Sequence, residues 1–280
     1  MHVRGLVQRQ SAVEFNALCD VDPGQIAKVK KHIGDFQAHA PSETAVYQEV
    51  LDNKEIDAVI IATPHHWHIP IALAALAAGK DVYLEKPASH VFAEGPLLIE
   101  AAKKYNRVVQ HGTQMRSSKV TEAAGKLLDS GILGEVKIAK AWNVQDRGAN
   151  EVVPDSKPPT GVDYDRWLGP APERPFNANR FHSNWRVYRD YGNGDIGDDG
   201  AHDIDMARWG LGVETLPTQV TAHGSTVELR GDREYPDNMM VAYQYPDDKV
   251  MLYEDRLFTP YGLHGFDSGN AFYGTEGYMI

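Results

Sequence analysis

The chain has 280 residues, of which 28 are Lys or Arg and 39 are Asp or Glu, so its formal net charge is −11; 42% of its residues are hydrophobic. This is the composition of a folded polypeptide long enough for one large domain or two ordinary ones. The acidic balance argues against a nucleic-acid partner, whose phosphates call for a basic surface, and the longest apolar run, residues 69–78, is too short to cross a bilayer. A single cysteine, Cys19, excludes an intramolecular disulfide and any metal site built on several thiolates. Cys19 reads instead as a small buried hydrophobe in a strand.

Residues 14–20 (EFNALCD) predict a strand ending at Asp20, and residues 23–33 a helix. Ser42 is placed to cap a helix over 43–53. Residues 57–62 (DAVIIA) are almost wholly apolar and predict a strand buried on both faces. A helix over 69–78 stops at Gly79, followed by a strand over 81–85, a helix over 93–105 and a strand over 107–111. Such alternation predicts a parallel sheet with helices on its faces.

After Gln114 the rhythm changes. A helix over 120–130 leads to a long strand over 135–144, then to about fifty residues rich in Pro, Gly, Asn and Asp, a length that in compact proteins is usually functional. Residues 194–211 predict a helix. From Thr218 onward, alternating segments separated by Gly231-Asp232 and Asp247-Asp248 predict an antiparallel sheet. The expected fold class is therefore α/β plus α+β: a Rossmann-type parallel-sheet domain over 1–113, and an α+β domain with an open, mainly antiparallel sheet over 114–280.

In a dinucleotide-binding fold the first strand runs into G-x-G-x-x-G, and about 20 residues later an acid ending the second strand binds the adenosine ribose. Asp20 stands where that acid belongs, although a strand-end turn would use an Asp equally well. No such glycine run precedes it. The expectation is a domain without its first strand and phosphate loop, with residues 1–9 as the tail of its first helix, and a second sheet that is itself unfinished at Ile280. These 280 residues alone are then expected to bind a dinucleotide weakly or not at all.

The most specific run is AGKDVYLEKP at 78–87. Together with ALCDVD at 17–22, IIATPHHWH at 60–68, WLGPAP at 167–172 and GDDGAHDIDMARW at 197–209, it resembles the glucose–fructose oxidoreductase and inositol dehydrogenase (Gfo/Idh/MocA) family. That resemblance implies NAD(P)-dependent oxidation or reduction at a secondary hydroxyl or ketone of a sugar, polyol or derivative. Asp20 favours NAD over NADP, because a carboxylate accepts from a 2′-hydroxyl and repels a 2′-phosphate.

The resemblance also implies site residues. Lys86, at a strand end before a cis proline, would hydrogen-bond the reacting oxygen; His202 would take the hydroxyl proton; Asp198 would bind a neighbouring hydroxyl and bias the histidine. Asp20, Thr63, Pro64, His68, Glu85 and Lys86 would contact the cofactor. The spacing of Asp198, His202 and Asp205 puts all three on one helical face, a pattern that also suits a merely solvated one. Asp199, Asp203 and Asp205 read as structural. His65, His66 and His68 do not read as a metal site, since contiguous histidines point in different directions and no carboxylate or cysteine accompanies them at ligand spacing; they read as a loop passing the nicotinamide ribose.

Trp167, Trp185 and Arg186 are candidate substrate contacts, because aromatic faces and a guanidinium suit a sugar, and they suit a packed loop or subunit interface equally well. The expected partners are a small sugar or polyol and further copies of the chain in a homodimer or homotetramer, with neither nucleic acid nor membrane. The expected compartment is the cytoplasm, with export of the folded protein to the periplasm as the alternative. Two rival functions share the site: an NAD-cycling enzyme that cleaves a glycoside or epimerises a sugar through transient oxidation, and a non-catalytic sugar or nucleotide sensor.

Overall fold

The computed structural model describes residues 13–34, 36–37, 39–149 and 151–280. The helix tail expected over residues 1–9 lies outside them. The chain divides into two compact units, one running to Gln110 together with Pro154–Ala178, the other comprising His111–Val153 and Asn179–Ile280. Residues 154–178 pack with the first unit.

In the first unit β1 (Ala17–Cys19) pairs in parallel with β2 (Ser42–Thr44), and β3 (Ala58–Ile61), β4 (Asp81–Leu84) and β5 (Val109–His111) form a second parallel sheet. Between them lie α1 (Pro23–Ile33), α2 (Tyr47–Asp52), α3 (His65–Ala77) and α4 (Glu94–Tyr105). The Asp22 side chain caps α1 by accepting from the Gly24 amide at 2.8 Å, and Pro23 supplies the fixed φ that suits a first helical position. Gly79, at φ +81°, provides the left-handed turn that releases the chain from α3 into β4.

Several local expectations change. Ser42 does not cap a helix; it opens β2, donating its backbone amide to the Asn16 carbonyl, and the helix begins later at Tyr47. The reason is tertiary: pairing with β1 satisfies the backbone that a cap would have served. β3 is not buried on both faces. Val59 and Ile61 join the apolar cluster formed with α2, α3 and α4, while Ile60 on the opposite face is 44% exposed. Cys19 is at the surface rather than in the core. Enough protein still surrounds it that burial, aided by the carboxylates of Asp20 and Glu49, pushes its thiol up to about 11, which keeps it protonated at neutral pH.

The second unit is a six-stranded sheet in the order β11 (Tyr278–Met279), β10 (Ser268–Gly274), β6 (Val136–Val144), β9 (Val250–Arg256), β8 (Asn238–Gln244), β7 (Gln219–Ser225). All its pairings are antiparallel except β6 with β9, which is parallel. The turn between β8 and β9 is built on Asp247 and Asp248, both at positive φ, as the dipeptide suggested. The other dipeptide, Gly231-Asp232, lies in the longer β7–β8 connection. There the Asp237 carboxylate accepts three backbone amides, from Val227, Glu228 and Leu229, which holds its pKa down against the opposing effect of burial.

Helix α5 (Lys119–Asp129) precedes β6, and the short α6 (Tyr164–Leu168) lies in the segment that returns to the first unit. Residues 194–211 do not form one helix. A short α7 (Gly194–Gly197) ends at Asp198, whose ψ of −89° is not helical, and α8 (Gly200–Leu211) starts afresh. Ala207 and Leu211 of α8 are buried with Ala139 and Ala141 of β6 and Met251 and Tyr253 of β9. Gly200 explains why α8 can lie this close: a Cβ there would stand 2.4 Å from the Tyr253 hydroxyl.

Candidate functional site

In the first unit the cofactor candidates collect after the C-terminal ends of the parallel strands, where open α/β sheets gather ligands. Asp20 follows β1, and its Oδ1 accepts from the Asp22 amide at 2.9 Å. Thr63 and Pro64 follow β3, and Glu85 and Lys86 follow β4; the Glu85 carboxylate accepts from the Lys86 amide at 3.0 Å. The Lys86–Pro87 peptide is cis. The Thr63 hydroxyl is buried with no hydrogen-bond partner, so the end of β3 keeps a donor for which the protein itself supplies nothing. A polar ligand at this edge fits that vacancy in the hydrogen bonding.

The histidines are not in a loop. His65, His66 and His68 occupy the first turn of α3, after Pro64, and all three are buried. His68 is 1% exposed, with Nδ1 at 2.7 Å from the Pro87 carbonyl and Nε2 at 2.9 Å from the Thr63 carbonyl. Both ring nitrogens thus stand within hydrogen-bond distance of backbone carbonyls, one in the loop after β3 and one in the loop after β4, so the ring links those two loops. His66 Nε2 lies 3.0 Å from the Trp167 carbonyl, and the Trp67 indole donates to the same carbonyl at 3.0 Å. These bonds hold residues 154–178 on the first unit. Trp167 is correspondingly buried and stacked on Tyr164.

In the second unit a cavity of about 300 Å³ is lined by Arg147, Ser183, Asn184, Arg186, Asp195, Asp198 and Arg233, among others. Asp198 is buried at the break between α7 and α8, so the spacing argument that placed it on one face with His202 and Asp205 does not hold. Its Oδ2 lies 2.8 Å from Nε of Arg186. The Arg186 guanidinium stacks on Trp185, 4.5 Å from the ring centroid, and donates to the Ser183 carbonyl at 3.0 Å. Trp185 is buried, with the Arg186 guanidinium over its ring. His202 is half-buried in the first turn of α8, its amide donating to the Asp199 carbonyl at 3.0 Å. Asp205 is occupied elsewhere, in a two-bond pair with Arg116 at 2.7 and 2.8 Å.

Arg147, just after β6, was not singled out from the sequence. It donates to Asp195 at 3.0 Å and also pairs with Asp199, which Gln145 reaches at 2.8 Å. Burial works against the Arg147 charge, but Asp195 and Asp199 outweigh it and push its pKa up. Burial likewise raises the Asp195 carboxyl, with Arg147 opposing. Nothing in the run WNVQDR announces this role; it becomes visible only when β6 carries Arg147 to α7.

The first unit carries polar groups at the C-terminal ends of parallel strands, as nucleotide-binding α/β folds do, and the second unit holds an Asp-lined polar cavity. Family models agree in both parts. "Oxidoreductase family, NAD-binding Rossmann fold" matches residues 1–113, and "Oxidoreductase family, C-terminal alpha/beta domain" matches residues 117–253. The chain belongs to the Gfo/Idh/MocA oxidoreductase family.

Among curated relatives, levoglucosan dehydrogenase of Pseudarthrobacter phenanthrenivorans is 28% identical over 196 residues, covering 70% of this chain and 42% of its own length. Inositol 2-dehydrogenase of Salmonella paratyphi B is 31% identical over 163 residues, covering 58% and 46%. The chain thus matches less than half the length of either relative. The solved structure of GenD2 from gentamicin A biosynthesis, in complex with NAD, superposes with a TM-score of 0.73 at 22% identity, over 99% of this chain and 67% of that one.

Proposed function

We propose that this protein is an NAD-dependent oxidoreductase acting on a secondary hydroxyl, or the corresponding ketone, of a sugar or polyol. The observation that carries this reading is Asp198, a buried carboxylate lining a polar cavity at a helix break, with His202 in the first turn of the next helix. The names of the two relatives, levoglucosan and inositol dehydrogenases, support the same substrate class.

The residues that would hold NAD are Asp20, toward the adenosine ribose, and Thr63, Pro64, Glu85 and Lys86 at the ends of β3 and β4. Bound there, NAD supplies the hydride acceptor. In the proposed reaction His202 takes the hydroxyl proton, Lys86 donates to the reacting oxygen, and Asp198 accepts from a neighbouring hydroxyl, fixing which carbon is presented.

The test is NADH formation with a panel of neutral sugars and cyclitols. NAD is supplied in large excess over the protein. Turnover is expected, with Lys86→Ala and His202→Ala each lowering kcat by about 100-fold or more at unchanged folding. Turnover indifferent to both substitutions would overturn the roles given to them. Sugar consumption without accumulating NADH would instead identify the NAD-cycling chemistry, and sugar binding with no turnover a sensor.

A further inference from the structure

Resting on that reading, we infer that the cavity of the second unit selects an uncharged polyhydroxylated ring over a sugar acid or an amino sugar. Its charges are already matched inside the protein. Arg186 is paired with Asp198, and Arg147 with Asp195 and Asp199. The third guanidinium, Arg233, is 4% exposed, lies 3.8 Å from Asp195 and donates to the Tyr235 carbonyl at 3.1 Å. The lining itself holds these three guanidiniums and two carboxylates, Asp195 and Asp198; Asp199, which pairs with Arg147 from outside the lining, supplies the third carboxylate.

A substrate carboxylate entering here would have to draw a guanidinium from its partner and would then stand beside a carboxylate left without its countercharge. A substrate ammonium meets the mirror-image penalty. Breaking such a pair is most unfavourable for the carboxylate left behind, because the Asp195 and Asp198 side chains are 7% and 13% exposed, whereas the Arg147 and Arg186 side chains, at 35%, stay partly hydrated.

Hydroxyls suffer neither penalty. A paired guanidinium keeps donors beyond those its carboxylate uses, and a paired carboxylate keeps acceptor lone pairs. Adjacent hydroxyls can accept from the first and donate to the second without separating the pair. Ser183 and Asn184 add neutral hydrogen-bonding groups to the lining. The volume, about 300 Å³, is at the small end of ligand sites and suits a single ring.

The experiment is binding of glucose, glucuronate and glucosamine to the protein, followed by ligand-observed NMR and calorimetry. Glucose is expected to bind at least about tenfold more tightly than either charged sugar, a difference near 1.4 kcal/mol. Asp198→Asn releases Arg186 and should raise affinity for glucuronate while lowering that for glucose. Arg186→Met releases Asp198 and should favour glucosamine instead. Glucuronate or glucosamine binding to the unaltered protein as well as glucose does would overturn the inference. So would an absence of all three from the site, whereas the oxidoreductase reading stands or falls separately on NADH formation. If either variant fails to fold, the ranking of the three sugars on the unaltered protein still decides.

Discussion

Nδ1 of His68 lies 2.7 Å from the carbonyl oxygen of Pro87, and the opposite nitrogen of the same ring reaches the Thr63 carbonyl at 2.9 Å. A carbonyl can only accept, so a neutral ring donates its one N–H to one of these two carbonyls, the choice set by its tautomer. One side chain therefore joins the loop after β3 to the loop after β4, and those loops carry Thr63, Pro64, Glu85 and Lys86. His68→Ala is expected to lower stability by about 1–3 kcal/mol, the cost of stranding a buried polar partner. His68→Gln, whose amide keeps donors, should recover part of the loss. Urea unfolding of the three proteins checks this; an unchanged midpoint for His68→Ala would show that the loops do not depend on the ring.

Asp203 gives a pH-dependent prediction. It is buried in α8, and desolvation, reinforced by the nearby Asp199 and Asp267 carboxylates, pushes its pKa from 3.8 to about 8. Between those values the folded protein holds a proton that the unfolded chain has released, so stability falls as pH rises across that window. Asp255, pushed up to about 7 mainly by burial, acts in the same direction. Asp203→Asn removes the Asp203 contribution. Its unfolding free energy relative to the unaltered protein should therefore improve from pH 5 to about pH 8 and level off above that, by at least about 1 kcal/mol in total, the worth of one pKa unit. A constant difference over that range would mean that Asp203 does not titrate there.

Much of the fold was legible because local signals and tertiary packing agree. The start of α1 at Pro23, the Gly79 exit from α3 and the Asp247-Asp248 turn all stand where the sequence reading placed them. Misreadings arose where a distant partner decides. Ser42 has the chemistry of a cap but finds β1; DAVIIA has the composition of a doubly covered strand but packs through Val59 and Ile61 on one face. The candidate site divides in the same way. Asp198 and Lys86 could be named from motifs, whereas Arg147 and Asp195 are brought together by β6 and α7, 48 residues apart in sequence. The period of a helix also misled, because Asp198 lies in the break before α8 and owes its place in the cavity lining to that break.

Asp20 should set cofactor preference. Its side chain accepts the Asp22 amide through one oxygen, which fixes the carboxylate at the end of β1. A serine there keeps the local turn bond, since a hydroxyl also accepts, but removes the negative charge that repels a 2′-phosphate. Asp20→Ser is therefore expected to shift the ratio of NADP to NAD binding toward NADP by about tenfold or more, with little change in melting temperature. Calorimetric titration with both dinucleotides measures it. An unmoved ratio would remove Asp20 from the cofactor site.

Two glycine substitutions with the same chemistry should have opposite signs. Replacing a helical glycine by alanine ordinarily stabilises by about 0.5–1 kcal/mol, because it restricts the unfolded chain. At Gly95, in the first turn of α4, a Cβ meets nothing within 4 Å, so Gly95→Ala should show that gain. At Gly200 the added carbon would lie 2.4 Å from the Tyr253 hydroxyl and 2.8 Å from its ring, and Tyr253 is 1% exposed in β9, so it has no room to withdraw. Overpacking of that kind costs about 1–3 kcal/mol, which exceeds the helix gain. Gly200→Ala should therefore destabilise, and because α8 carries His202 it should also lower turnover more than Gly95→Ala does. Parallel denaturation and NADH-formation measurements separate the two positions; a stabilised Gly200→Ala protein would show that the contact between α8 and Tyr253 is looser than the packing implies.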